Sequence, residues 1–302
     1  MIVDLPGTTT SRVSKKLQEL RESGGVVTLG RVLSLVVETD LDHLEAAVEA
    51  ANGASKLHPC RIIVLAKADQ GGESRLDAEI RVGGDAGASE VVVLRAFGEV
   101  LSNQESLVTG LLLPDAPVVA WWPSECSGNP GQSAIGKISS RRITDAAMQP
   151  RSAEFLAELA SNYSPGDSDM AWARITLWRS QLTSLFEARQ FSDPKSITVF
   201  ANPDSPSAML LARWLQLSLN IPSEIVSEID GSGITGISGV KLETGDGALE
   251  IMRKGQIATI SQPGFPSASV LLPQRSDLDC LVEDMRFLGE DLVYARVLES
   301  FK

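Results

Sequence analysis

The sequence predicts an α/β chain of two domains, on three observations. Short β-branched runs alternate with amphipathic stretches in the first half, a strand–helix–strand unit opens the second, and 302 residues exceed what one hydrophobic core usually organises. The turn chemistry of Ser164-Pro165-Gly166-Asp167 places the division there, giving an N-terminal α/β domain over 1–163 and a C-terminal α/β domain over 164–302.

Each element has a local reason. Residues 8–21 set Val13, Leu17 and Leu20 at helical spacing behind threonines that can cap, and Gly24-Gly25 stops the helix. The β-branched run 26–39 reads as a long half-buried strand, followed by a helix over 41–51 that Asn52-Gly53 should close. Strands are expected over 61–66, 75–82 and 90–96, with Gly83-Gly84-Asp85-Ala86-Gly87 as the hairpin turn between the last two. Two more follow at 118–122, stopped by Pro123, and at 142–144, before a helix over 152–161.

In the second half Asp167 is expected to cap one unbroken helix from about Ser168 to Gln190. A strand at 197–201, a helix at 207–219 and a strand at 223–226 make a β-α-β unit, its loop read as a Ser or Asp cap with proline in the first turn. Runs at 239–244, 248–253 and 256–261, divided by Gly245-Asp246-Gly247 and Lys254-Gly255, predict an antiparallel three-stranded meander. C-terminal helices over 277–287 and 290–301 follow.

Composition narrows the function. With 27 basic against 39 acidic residues, a net charge of −12 disfavours nucleic acid and anionic membranes, which both need clustered Lys and Arg. Residues 1–6 lack a basic n-region and an apolar h-region, and the apolar stretch 111–122 is broken by Pro114, Asp115 and Pro117, so a soluble, cytoplasmic protein is expected. Cys60, Cys126 and Cys280 are odd in number and widely spaced, which fits a reducing compartment and three buried small hydrophobes.

A search for chemistry finds little. His43 and His58 are the only histidines, too few with these cysteines for a zinc site, so no metal is expected. No phosphate loop, dinucleotide fingerprint or nucleophile elbow follows a predicted strand, so neither cofactor nor catalytic residue is expected. The acid pairs Asp277 with Asp279 and Glu283 with Asp284 read as a solvated helix face.

What stands out is tryptophan with arginine. Trp121, Trp122, Trp172 and Trp178 fall in one span with Arg141, Arg142, Arg174 and Arg179, and these two residue types are enriched at binding hot spots. On a helical wheel Ala171, Trp172, Ile175, Trp178, Leu182, Leu185 and Phe186 share a face with Arg179 inside it, so that cation needs a carboxylate such as Asp145, a ring face, an anionic ligand or a path to the edge. Adjacent strand positions send Trp121 and Trp122 to opposite faces, one free to be core and the other to meet a helix or partner.

These residues carry a family resemblance. Leu111-Leu112-Leu113-Pro114-Asp115-Ala116-Pro117-Val118-Val119-Ala120-Trp121-Trp122-Pro123, Arg141-Arg142-Ile143-Thr144-Asp145-Ala146 and the segment from Asp167-Ser168-Asp169-Met170-Ala171-Trp172 to Trp178-Arg179 resemble the actinobacterial glucose-6-phosphate dehydrogenase assembly proteins, the OpcA family. The opening six residues, Gly30-Arg31-Val32-Leu33 and His58-Pro59-Cys60-Arg61 are also similar, and the likeness weakens in the last third. Leu177 stands where the family commonly has proline, which predicts an uninterrupted helix.

The resemblance implies a non-catalytic partner of glucose-6-phosphate dehydrogenase that promotes its assembly and activity at the NADP-linked entry to the oxidative pentose phosphate pathway. It names no catalytic residues. Candidate partner- or ligand-binding residues are His58, Arg61, Trp121, Trp122, Arg141, Arg142, Asp145, Asp169, Trp172, Arg174, Trp178 and Arg179. The competing reading is a sugar-phosphate-binding sensor or cryptic sugar-phosphate hydrolase with the arginines as an anion clamp.

Overall fold

A computed structural model describes residues 1–24, 32–68, 73–82, 90–187, 193–227 and 236–302. The expected turn at 83–87, the strand start at 26–31 with Gly25, and the helix end at 188–190 lie outside the described residues. By its internal contacts the chain forms two units, each drawn from three segments. Residues 1–148, 163–168 and 277–291 make the first, and 149–162, 169–276 and 292–302 the second.

In the first unit the helices are α1 (Thr10–Gly24), α2 (Leu44–Ser55), α3 (Gln104–Thr109) and α4 (Ala134–Lys137). Strands β1 (Ile2–Leu5), β2 (Leu33–Asp40), β3 (Cys60–Lys67), β4 (Arg75–Arg81), β5 (Glu90–Phe97), β6 (Val118–Trp121), β7 (Arg141–Thr144) and β8 (Asp167–Asp169) form an eight-stranded sheet in the order β1-β4-β5-β3-β2-β6-β7-β8. β5, β3, β2, β6 and β7 run parallel; at one edge β4 pairs antiparallel with β5, and β1 antiparallel with β4. β2 and β3 are buried at every position but the last, as parallel strands covered on both faces must be. Val13 and Leu17 of α1, Val108 of α3 and Ile135 of α4 join Val36, Ile63, Leu94 and Trp122 in one core cluster.

The chain lays β3 and β5 on one side of β2, then returns to place β6 on the other. That reversal is a topological switch point, where open α/β sheets take their ligands. Three details correct the sequence reading. β1 is a strand where none was expected. Asn52-Gly53 does not close α2, because a Cβ on Gly53 would lie 2.8 Å from Leu278 Cδ1, so the missing side chain serves close packing by a later helix. Asp167 caps no helix and lies in β8.

The second unit contains α5 (Ser152–Asn162), α6 (Met170–Arg174), α7 (Thr176–Glu187), α8 (Pro206–Leu219) and strands β9 (Ser196–Ala201), β10 (Ser223–Val226), β11 (Ile237–Thr244), β12 (Gly247–Lys254), β13 (Ile257–Ser261) and β14 (Ala268–Leu271). The β-α-β unit forms as expected, β10 parallel to β9, with Ser205 accepting from the Ala208 N–H at 3.4 Å and Pro206 in the first turn of α8. The other pairings are antiparallel, in the order β10-β9-β11-β12-β13-β14. The meander has a fourth strand after the expected three: beyond Pro263 and Pro266 the chain pairs again from Ala268 at the sheet edge, where proline neighbours are tolerated.

The helix expected to run unbroken from 168 is two helices. Asp169 caps α6 by accepting from the Ala171 N–H at 2.8 Å, and Ile175 (φ −94°, ψ 4°) leaves helical geometry before α7 begins. Leucine at 177 therefore does not restore a continuous helix. α9 (Asp277–Arg286) packs against α2 in the first unit, and α10 (Leu292–Glu299) against α5 and α8 in the second. Among the described residues no helix is long and apolar enough to cross a membrane.

Candidate functional site

The three candidate arginines of the first unit all have internal partners. Arg61, 5% exposed, donates Nε to Glu90 at 3.1 Å and Nη1 to the Leu111 carbonyl, and Arg21 closes on the same carboxylate at 2.6 Å. Arg142 donates to Asp167 and to the carbonyls of Ser139 and Pro165, at 2.7 and 2.6 Å. Burial pushes the Asp167 carboxyl above the ordinary carboxylate range, against the pull of Arg142 and the Ser164 N–H. Arg141 binds Asp284 and the Gly289 carbonyl, and Ser168 donates to the same Asp284 oxygen at 2.6 Å. Asp284 is thus 5% exposed, which corrects its assignment to a solvated face. His58 Nε2 lies 3.1 Å from the Val282 carbonyl, and Asp145 Oδ1 accepts from the Ala147 N–H.

Trp121 and Trp122 are both buried, at 1% and 3% exposure. Trp122 Nε1 donates to Glu38 Oε2 at 3.0 Å, and Glu38 also pairs with Lys67, a link across the carboxyl ends of β2, β3 and β6 that sequence reading missed. Beside it Asp40 accepts from the His43 backbone N–H at 2.9 Å and lies 2.7 Å from its ring Nδ1. Burial alone would push Asp40 up, but the His43 hydrogen bonds hold it below the ordinary carboxylate range.

The second unit gathers the rest around the α6–α7 corner. Trp172 is 3% exposed, with the Arg179 guanidinium 3.7 Å over its ring and Tyr294 5.7 Å away at 44°. Arg179 also donates to Thr176 Oγ1 at 2.9 Å, so a ring face is among the partners this cation uses. Arg174 is half-buried in the last turn of α6. Arg275 Nη1 binds the Ala173 carbonyl at 2.7 Å, at the negative end of α6. Trp178, also 3% exposed, has the Arg253 guanidinium 5.7 Å from its ring.

Arg253, Arg275 and Tyr294 were not singled out from the sequence. For Arg253 a signal existed: Leu249, Ile251 and Arg253 alternate along β12, so the cation stands at a core position.

A family model described as the glucose-6-phosphate dehydrogenase subunit N-terminal domain matches residues 51–161, and one for the corresponding C-terminal domain matches 165–298. No curated protein gives a significant match. Among solved structures, the 3-ketoreductase KijD10 from Actinomadura kijaniata, in complex with TDP-benzene and NADP, aligns at TM-score 0.50 and 7% identity over 89% of this chain and 94% of its own. A UDP-N-acetylglucosamine 3-dehydrogenase from Acidithiobacillus ferrooxidans aligns at 0.45 and 10%, over 89% and 95%. At such identity the first likeness is one of fold alone. A dinucleotide does not fit the turn from β2 to α2 at this switch point: Asp40-Leu41-Asp42-His43 has no glycine for a pyrophosphate to approach and adds two carboxylates, one already on the His43 N–H.

Proposed function

This chain belongs to the glucose-6-phosphate dehydrogenase subunit family, and from that premise we propose that it is a non-catalytic subunit that binds the dehydrogenase and promotes its assembly and activity. The carrying observation is that the two family models together run from residue 51 to 298, through both units. The acidic, glycine-free turn after β2 supports a non-catalytic role, since it opposes the phosphate binding on which dinucleotide chemistry depends. The internal pairing of Arg61, Arg141 and Arg142 supports it too, because arginines held by carboxylates are not free to grip a substrate.

The test is sedimentation of the purified chain mixed with the dehydrogenase, read beside specific activity. Co-sedimentation with a rise in activity is expected. Unchanged sedimentation and activity across a titration would overturn the proposal, and co-sedimentation alone would remove the activating role while keeping the partner.

A further inference from the structure

We propose that the open face of the second unit's sheet is where two copies of this chain pair, about a twofold axis that passes at Met252. The inference goes beyond the subunit role and does not depend on it.

Exposure alternates along β12 and β13, so this part of the sheet buries one face and opens the other. Glu250, Met252 and Lys254 of β12 stand on the open face, and the register sets Ile257 and Thr259 of β13 and Leu271 of β14 beside them. A solvated sheet face is ordinarily polar. Here Ile257 and Leu271, paired directly across the strands, are 54% and 72% exposed. Phe200, Gly239 and Met252 line up across β9, β11 and β12 on the same face. Glycine inside a strand weakens it and often marks a close approach by another surface. At Gly239 the Met252 side chain fills the space a Cβ would need, so Met252 lies flat over β11. The result is a low apolar strip on which a second sheet packs at the usual separation of about 10 Å.

The charges beside that strip name the occupant. Glu250 and Lys254 stand on the same strand at equal distances on either side of Met252. Glu250 keeps 40% of its side chain exposed, with Lys241 3.7 Å away, and Lys254 is exposed. In a twofold contact residue i of one copy meets j of the other, and j meets i. An axis lying in the face and crossing the strands at Met252 lays β12 antiparallel on its copy, so each Glu250 faces the other copy's Lys254. One surface thus supplies both charges of two ion pairs around an apolar centre, the self-complementarity that a second copy requires.

The test is sedimentation of the full chain alone over about 1–200 µM, which should show monomer passing to dimer. Glu250→Lys and Lys254→Glu should each weaken the dimer roughly tenfold or more, because like charges then meet across the axis. An equal mixture of the two variants should dimerise at the parent's concentration, since one chain then presents two lysines and the other two glutamates. A chain that stays monomeric throughout would overturn the proposal, as would a dimer that both reversals leave intact or a mixture that does not recover it. Should the reversals weaken only co-sedimentation with the dehydrogenase, the face belongs to that enzyme and the proposal falls. If either reversal does not fold, Met252→Lys, which sets like charges on the axis itself, decides: a weakened dimer supports the pairing and an unchanged one overturns it.

Discussion

Asp284 owes its place to Arg141 and Ser168, both far from it in sequence, while its other oxygen is buried without a partner. Burial pushes its carboxyl above the ordinary range despite Arg141. A carboxyl raised above its unfolded value of about 3.9 holds its proton more tightly when folded, so its contribution is complete below that value and is lost as pH rises through the native one. Denaturant unfolding from pH 4 upward should show the parent losing stability relative to Asp284→Asn, whose side chain does not titrate; parallel profiles would refute this. Trp122→Phe should cost about 1–3 kcal/mol by the same measurement, because it strips a donor from buried Glu38. Neither partnership was legible, since a local pattern says nothing of what stands opposite in space and an acidic run on a helix usually faces water. Arg253 was legible as an inward charge from its place in the β12 alternation.

At the scale of elements, strong local patterns matched the structure and interrupted ones did not. The β-α-β unit and the three-run meander carry period-2 alternation with turn residues between the strands, and both formed. The α6–α7 break escaped notice because residues 171–186 keep helical spacing across it, so the periodicity survives while the hydrogen-bond ladder does not. The cap at that break should be sensitive: Asp169→Ala removes the acceptor for the Ala171 N–H and should lower unfolding stability by about 1–2 kcal/mol. In α4, a Cβ at Gly136 would lie 1.8 Å from the Pro130 carbonyl oxygen, which is backbone and cannot swing aside. Gly136→Ala should therefore cost about 1–3 kcal/mol, and a neutral result would mean the turn at Pro130 yields.

For the whole molecule, the α/β class followed from alternating strand and helix patterns, but the tracing of the units through separate segments did not, since composition marks linkers and not long-range docking. The first unit needs α9, whose Cys280, Leu281 and Met285 are buried and whose Asp284 pairs with Arg141. A fragment of residues 1–163 should accordingly melt lower and less cooperatively by circular dichroism than the intact chain, and residues 277–291 supplied as a peptide should restore part of the loss. A fragment as stable as the parent would show that α9 adds nothing.

That third segment also sets a clock. As the chain emerges from the ribosome, residues 1–148 appear long before 277–291, and at about 5–20 residues per second the interval is on the order of ten seconds. For that time the side of α2 that will meet Leu278 has no cover, and chaperones or another nascent chain can reach it first.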